Sequence, residues 1–156
     1  MPVIVSNKGA ANANSYCDIS FADALLDQVY GSDGWGEITE DDKARLLISA
    51  TRMIDELNLE VGPETETQSL CFPLDGMTDP DFDDVKEATV LQALYLMENA
   101  DSIKEAQSAG ILGVRSEGLS GMSRSVTGYN PFKRYSPGAI KLLRYWLDLT
   151  FSVGRG

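Results

Sequence analysis

Histidine is absent from all 156 residues, which removes the commonest general base, the usual catalytic triads and most catalytic zinc sites. The only two cysteines, Cys17 and Cys71, lie far apart with no C-x-x-C partner. Neither a zinc site nor a disulfide framework is indicated, and both read as small buried apolar residues. No G-x-x-x-x-G-K-[ST] or G-x-G-x-x-G loop occurs, and Gly31, Gly34 and Gly36 have the wrong spacing to cradle a phosphate. The opening Met-Pro-Val-Ile-Val-Ser-Asn-Lys is too short an apolar run for a signal peptide, and nothing later approaches the ~20 apolar residues of a membrane span. A soluble protein made in a reducing cytoplasm, with no membrane partner and no cofactor, is expected.

Asp79-Pro80-Asp81-Phe82-Asp83-Asp84 begins like a calcium loop, but the sixth position, where the sharp turn needs glycine, is Asp84. The twelfth, where a bidentate glutamate belongs, is Val90. These acids read instead as the start of a helix, whose macrodipole favours negative charge there. Cys71 or a carboxylate pair such as Asp41 and Asp42 has no activating base, so the sequence assigns no catalytic and no metal-binding residue, and no enzyme is expected.

The charge is divided. Residues 1–110 hold six Lys or Arg against twenty-two Asp or Glu, a net −16, whereas residues 111–156 hold seven against two, a net +5. The basic end is also aromatic: Tyr129, Phe132, Tyr135, Tyr145, Trp146 and Phe151 alternate with Arg124, Lys133, Arg134, Lys141, Arg144 and Arg155. That mixture suits nucleic acid or an acidic protein surface.

Periodicity predicts a mainly α fold of about four helices. The first spans about 20–30, opened by Ser20 with Asp23 three residues on and closed by Gly31. The second opens at Thr39 and runs to about Asn58, with Leu46, Leu47, Ala50, Met53, Ile54 and Leu57 on one stripe. A long connection, 59–81, carries Pro63, Pro73 and Pro80, with Leu70, Cys71 and Phe72 pinning it to the core. The third helix, about 81–100 and reaching towards 109, is apolar all round, so it must be covered all round, either by its own chain or by a neighbouring subunit. From Gly110 the chain turns Gly- and Ser-rich, predicting an extended loop or two-stranded ribbon to about Tyr135. The last helix starts at Ser136-Pro137 and runs to about Thr150, with a polar stripe of only Lys141, Arg144 and Asp148. The division is therefore a helical bundle over 1–110, an extended segment over 111–135 and a C-terminal docking helix with a tail over 136–156.

Asn14-Ser15-Tyr16 ahead of Ala22-Asp23, Ala50-Thr51-Arg52-Met53-Ile54-Asp55, Gln68 to Pro73 and Val85-Lys86-Glu87-Ala88 before an apolar helix resemble, in this order, the head-tail connector (adaptor) proteins of tailed bacteriophages. Ser116-Glu117 and the closing helix extend the likeness over nearly the whole chain, although the tail from Thr150 to Gly156 matches no pattern. The resemblance implies a virion neck protein made in the host cytoplasm: a homo-oligomeric ring, commonly twelvefold, between the portal protein and the tail or next neck protein. DNA would pass through its channel without specific binding. Ile140, Leu143, Arg144, Trp146 and Leu147 would then contact the portal, and Arg115, Leu119, Met122 and Arg124 a neighbouring subunit or the next ring. Acids facing the channel would repel phosphates, or would simply keep the subunit soluble.

Some relatives of that family carry a DnaT-like single-stranded-DNA-binding label, and the basic end supports that competing reading on its own. Lys133, Arg134, Lys141 and Arg144 would hold phosphates, and Tyr129, Tyr135 or Trp146 would stack on bases.

Overall fold

The computed structural model describes residues 2–120 and 134–148, with the helix over 102–120 as backbone. The fold is mainly helical, as the periodicity predicts: α1 Ile19–Leu26, α2 Asp33–Glu37, α3 Glu40–Asp55, α4 Asp79–Ser120 and α5 Pro137–Leu143, the last continued by a 3₁₀ turn, Arg144–Trp146. Among the described residues there are two isolated β-bridges and no strand.

Side-chain caps set the helix starts. Asp18, in extended conformation, accepts the Phe21 N–H at 2.8 Å and opens α1 two residues before the expected Ser20. Asp23 has a different task from the capping one read from its spacing. Its Oδ1 accepts the indole N–H of buried Trp35 at 2.8 Å and the Lys43 ammonium at 2.9 Å, which ties α2, unforeseen between the first two helices, to α1 and α3. Thr39 caps α3 as expected, accepting the Asp42 N–H at 3.1 Å. At α4 the Thr78 hydroxyl accepts from the Asp81 N–H at 3.3 Å and Asp81 accepts from the Thr78 N–H at 3.0 Å, a reciprocal capping box. Asp79 pairs with Lys8 at 2.6 Å. Both carboxyls are held below the usual carboxylate range, Asp79 by Lys8 and Asp81 by its bonds from Thr78.

Over Val85–Met97 the apolar circumference of α4 is covered largely by its own chain, with Leu91, Leu94, Leu96 and Met97 half-buried. Val85 and Ala88 enter one core with Tyr16, Phe72, Leu74, Phe82, Leu143 and Leu147; Val90 and Ala93 enter a second with Cys17, Ala22, Leu26, Trp35, Leu47 and Ala50. Each fully buried large side chain contributes roughly 1.5–3 kcal/mol relative to exposure, so a helix serving two cores organises the domain. It runs further than expected. Asn99 interrupts it with non-helical dihedrals, and the backbone then continues helical to Ser120, where an extended segment was anticipated from 111. The rest of that ribbon, 121–133, lies outside the described residues.

The long connection is packed, as its apolar residues indicate: Phe72 and Leu74 are fully buried, and Leu70 and Cys71 lie against the same core. A polar knot fastens it. The Tyr16 hydroxyl donates to Asp55 and accepts the Phe72 N–H at 3.1 Å, while Asp55 Oδ2 accepts the Cys71 N–H at 3.4 Å. Burial raises the Asp55 carboxyl above its ordinary value and raises the Tyr16 phenol, the latter reinforced by the neighbouring Asp55 charge. Tyr16→Phe removes both bonds and leaves a half-buried carboxylate and a buried amide short of a partner each. It is expected to lower unfolding stability by about 1–3 kcal/mol in urea denaturation.

The cysteines divide. Cys17 is buried, as expected, and Cys71 is only half-buried. Burial pushes the Cys17 thiol up to about 12 and, with help from the Asp55 charge, the Cys71 thiol up to about 11. Because the thiolate is the reactive form, native Cys71 should alkylate at pH 8 roughly a hundredfold more slowly than an ordinary thiol. Its rate should climb about tenfold per pH unit until pH approaches 11. Mass-spectrometric counting of iodoacetamide adducts checks this.

Candidate nucleic-acid interface

The C-terminal helix enters through a buried polar corner. Gln92, fully buried on α4, donates from Nε2 to the Arg134 carbonyl at 3.0 Å and accepts the Ser136 N–H on Oε1 at 2.7 Å. The Tyr135 hydroxyl donates to the Met53 carbonyl of α3 at 2.8 Å. Ser136 then caps α5, its hydroxyl accepting the Ala139 N–H at 3.4 Å, and Pro137 occupies the first turn, as the sequence indicates.

The helix ends earlier than its apolar pattern suggests. After the 3₁₀ turn the chain straightens and pairs with the segment after α3: the Glu60 N–H donates to the Trp146 carbonyl at 3.0 Å, and the Asp148 N–H to the Asn58 carbonyl at 2.8 Å. Leu147 bridges to Leu59 in that pairing. Backbone bonding to a neighbour takes over where intrahelical bonding stops, which periodicity alone does not reveal.

One face of this element is core and the other is surface. Ala139, Leu143 and Leu147 are buried, and Ile140, Leu142 and Trp146 pack half-buried against the same cluster. Lys141 and Arg144 are exposed, and Tyr145 is 81% exposed. The Tyr145 and Trp146 rings meet edge to face, 5.0 Å between centroids and 80° between planes, so the half-buried indole braces the exposed phenol. Lys141 lies on α5, and Arg144 and Tyr145 follow it in the 3₁₀ turn. Neither cation joins an ion pair among the described residues.

The residues assigned by sequence to a docking surface separate accordingly. Leu143 and Leu147 lie inside the chain's own core, Ile140 and Trp146 lie against it, and of the five only Arg144 is exposed. The groove that this broad apolar face requires is formed by α4 and the Leu70–Leu74 region of the same molecule. Of the loop contacts, Arg115 and Leu119 fall on the helical backbone of α4, and Met122 and Arg124 lie outside the described residues.

The nucleic-acid candidates divide as well. Tyr135 is buried and bonded, so it offers no face to a base. Arg134 pairs through Nη2 with Glu56 at 2.7 Å, and Tyr129 and Lys133 lie outside the described residues. Lys141 and Arg144 are exposed as the reading requires. The exposed ring is that of Tyr145, which the sequence does not distinguish from the half-buried Trp146 beside it.

The described residues form a small helical module with one exposed edge that combines two cations and an aromatic ring. Residues 1–117, well over half of the chain, match the family model described as "Putative DnaT-like ssDNA binding protein". The chain belongs to that family. No curated protein and no solved structure matches it.

This finding overturns the resemblance to head-tail connectors, and with it the virion neck assignment, the twelvefold ring, the portal and tail partners and the passage of DNA without binding. The motifs that carried the resemblance have structural roles: Tyr16 and Asp55 bond to each other, and Phe72 and Val85 are core. The match ends before α5, which nevertheless shares a core with the matched stretch through Leu143 and Leu147.

Proposed function

We propose that this protein is a non-catalytic module that binds single-stranded DNA along the outer edge of α5 and its following turn. Lys141 and Arg144 meet successive phosphates and Tyr145 stacks on a base, held upright by Trp146. The observation that carries this reading is an element whose opposite face is locked in the core and which exposes the Tyr145 ring together with Lys141 and Arg144, two cations in no ion pair among the described residues. Aromatic platforms flanked by cations are the general means of holding single strands, because every base offers a π face. The family description, matched over residues 1–117, agrees with single-stranded-DNA binding by the chain and stops short of α5.

The acidic remainder supports it differently. With −16 on residues 1–110, most of the surface repels a phosphate chain, so contact is confined to the basic end. Two phosphate contacts on a single strand give a log–log salt slope of about −1.4. Fluorescence anisotropy of a labelled oligothymidylate titrated with the protein at low and moderate salt tests the proposal. Binding that weakens at least that steeply is expected; no binding at low salt, or binding indifferent to salt, contradicts it.

A further inference from the structure

Arg134 is the basic residue nearest to α5 whose charge is already engaged. Its guanidinium lies 5.6 Å from the centroid of the Tyr135 ring, its Nε is buried without a hydrogen-bond partner, and its carbonyl is held by Gln92. The Tyr135 ring and the anchored Arg134 backbone therefore position this side chain apart from its ion pair. Only Nη2 reaches Glu56, at 2.7 Å, and the two side chains are 32% and 57% exposed. Exposed pairs of this kind contribute little to stability and yield readily to a competing anion.

Glu56 is placed where its own helix does not favour it. It is the C-cap of α3, the negative end of the helix dipole, where a carboxylate is disfavoured. What compensates it is Arg134. Building on the single-stranded-DNA reading above, we infer that Arg134 is a third phosphate-contacting cation held in check by Glu56, whose carboxylate takes in the free protein the place that a DNA phosphate takes on binding. A phosphate matches the guanidinium fork as well as a carboxylate does. Binding is thus an exchange of anions on a cation that is already positioned. The strand must displace Glu56 to gain its third contact, which weakens association and keeps Arg134 from capturing other anions.

A double-mutant cycle on the full chain tests the exchange, with a labelled oligothymidylate as probe. Glu56→Gln should raise affinity about threefold or more at low salt, because the strand no longer has to displace a carboxylate to gain the Arg134 contact. Arg134→Met keeps an apolar stem against Tyr135 and removes the cation. In that background Glu56→Gln should change affinity no more than Glu37→Gln, a control of equal charge on α2. No rise with Glu56→Gln, or the same rise with and without Arg134, would overturn the inference while the α5 site stands. If the unaltered protein fails to bind at any salt, the site reading falls and this inference falls with it. Thermal melts by circular dichroism establish that each variant is folded. Should Arg134→Met unfold, comparing the Glu56→Gln rise with that of Glu37→Gln decides, an equal rise counting against the exchange.

Discussion

Reversing the charge of both exposed cations, Lys141→Glu with Arg144→Glu, is expected to remove single-stranded DNA binding while leaving the fold intact. Both side chains point away from the core and neither pairs with an acid among the described residues, so their loss costs the folded state little. Binding loses far more. Phosphate contacts supply most of the affinity of sequence-independent binding, and each contact on a single strand contributes about 0.7 to the salt slope. Replacing two attractions with two repulsions on a chain already at −11 should lower affinity by at least about tenfold at low salt and flatten the slope by about 1.4. Anisotropy titrations of the variant and the parent protein at several salt concentrations measure both quantities. An unchanged slope would place the phosphate contacts elsewhere.

The second large effect concerns stability. Leu143→Ala should lower the free energy of unfolding by about 2–5 kcal/mol, the usual range for emptying a fully buried leucine site. Leu143 has no solvent exposure and packs in the core that holds Phe72, Val85, Ala88 and Ala139. The Gln92 and Tyr135 bonds that fasten the same helix prevent it from simply lifting away. Because domains of this size are stable by only about 5–15 kcal/mol, the loss should shift the urea midpoint of the whole molecule. A variant whose global midpoint matches the parent, with only the C-terminal segment released, would show that α5 is an appendage to the fold.

The helices were legible where a local signal decides the outcome. Thr39 and Ser136-Pro137 announce their helices because capping chemistry is local, and the stripe through Leu47, Ala50, Met53 and Ile54 is a matter of period. The two-core role of α4 was visible only as an ambiguity. An all-round apolar helix states that it must be covered, and the covering elements come from residues far away in sequence. The same limit affected α5. Its breadth of apolar surface indicated a groove, but nothing local revealed that the groove is made by Phe72, Leu74 and Val85 of its own chain.

The site was legible in its charges and less so in its aromatics. Lys141 and Arg144 stand out as the polar stripe of an apolar helix, and both are exposed. Tyr135 and Tyr145 are indistinguishable by residue type. What separates them is that the Tyr135 hydroxyl finds the Met53 carbonyl inside the fold, while Tyr145 is turned outward by the 3₁₀ turn. Arg134 is a comparable case, since its partner Glu56 is 78 positions away.

Residue-resolved chemical-shift mapping of isotopically labelled protein, titrated with a short oligothymidylate, tests the central claim most directly. Perturbations concentrated at Lys141, Arg144, Tyr145 and the Trp146 indole, with the acidic first turns of α3 and α4 silent, are the predicted result. Saturable perturbations confined to another surface, or none at low salt, would contradict it.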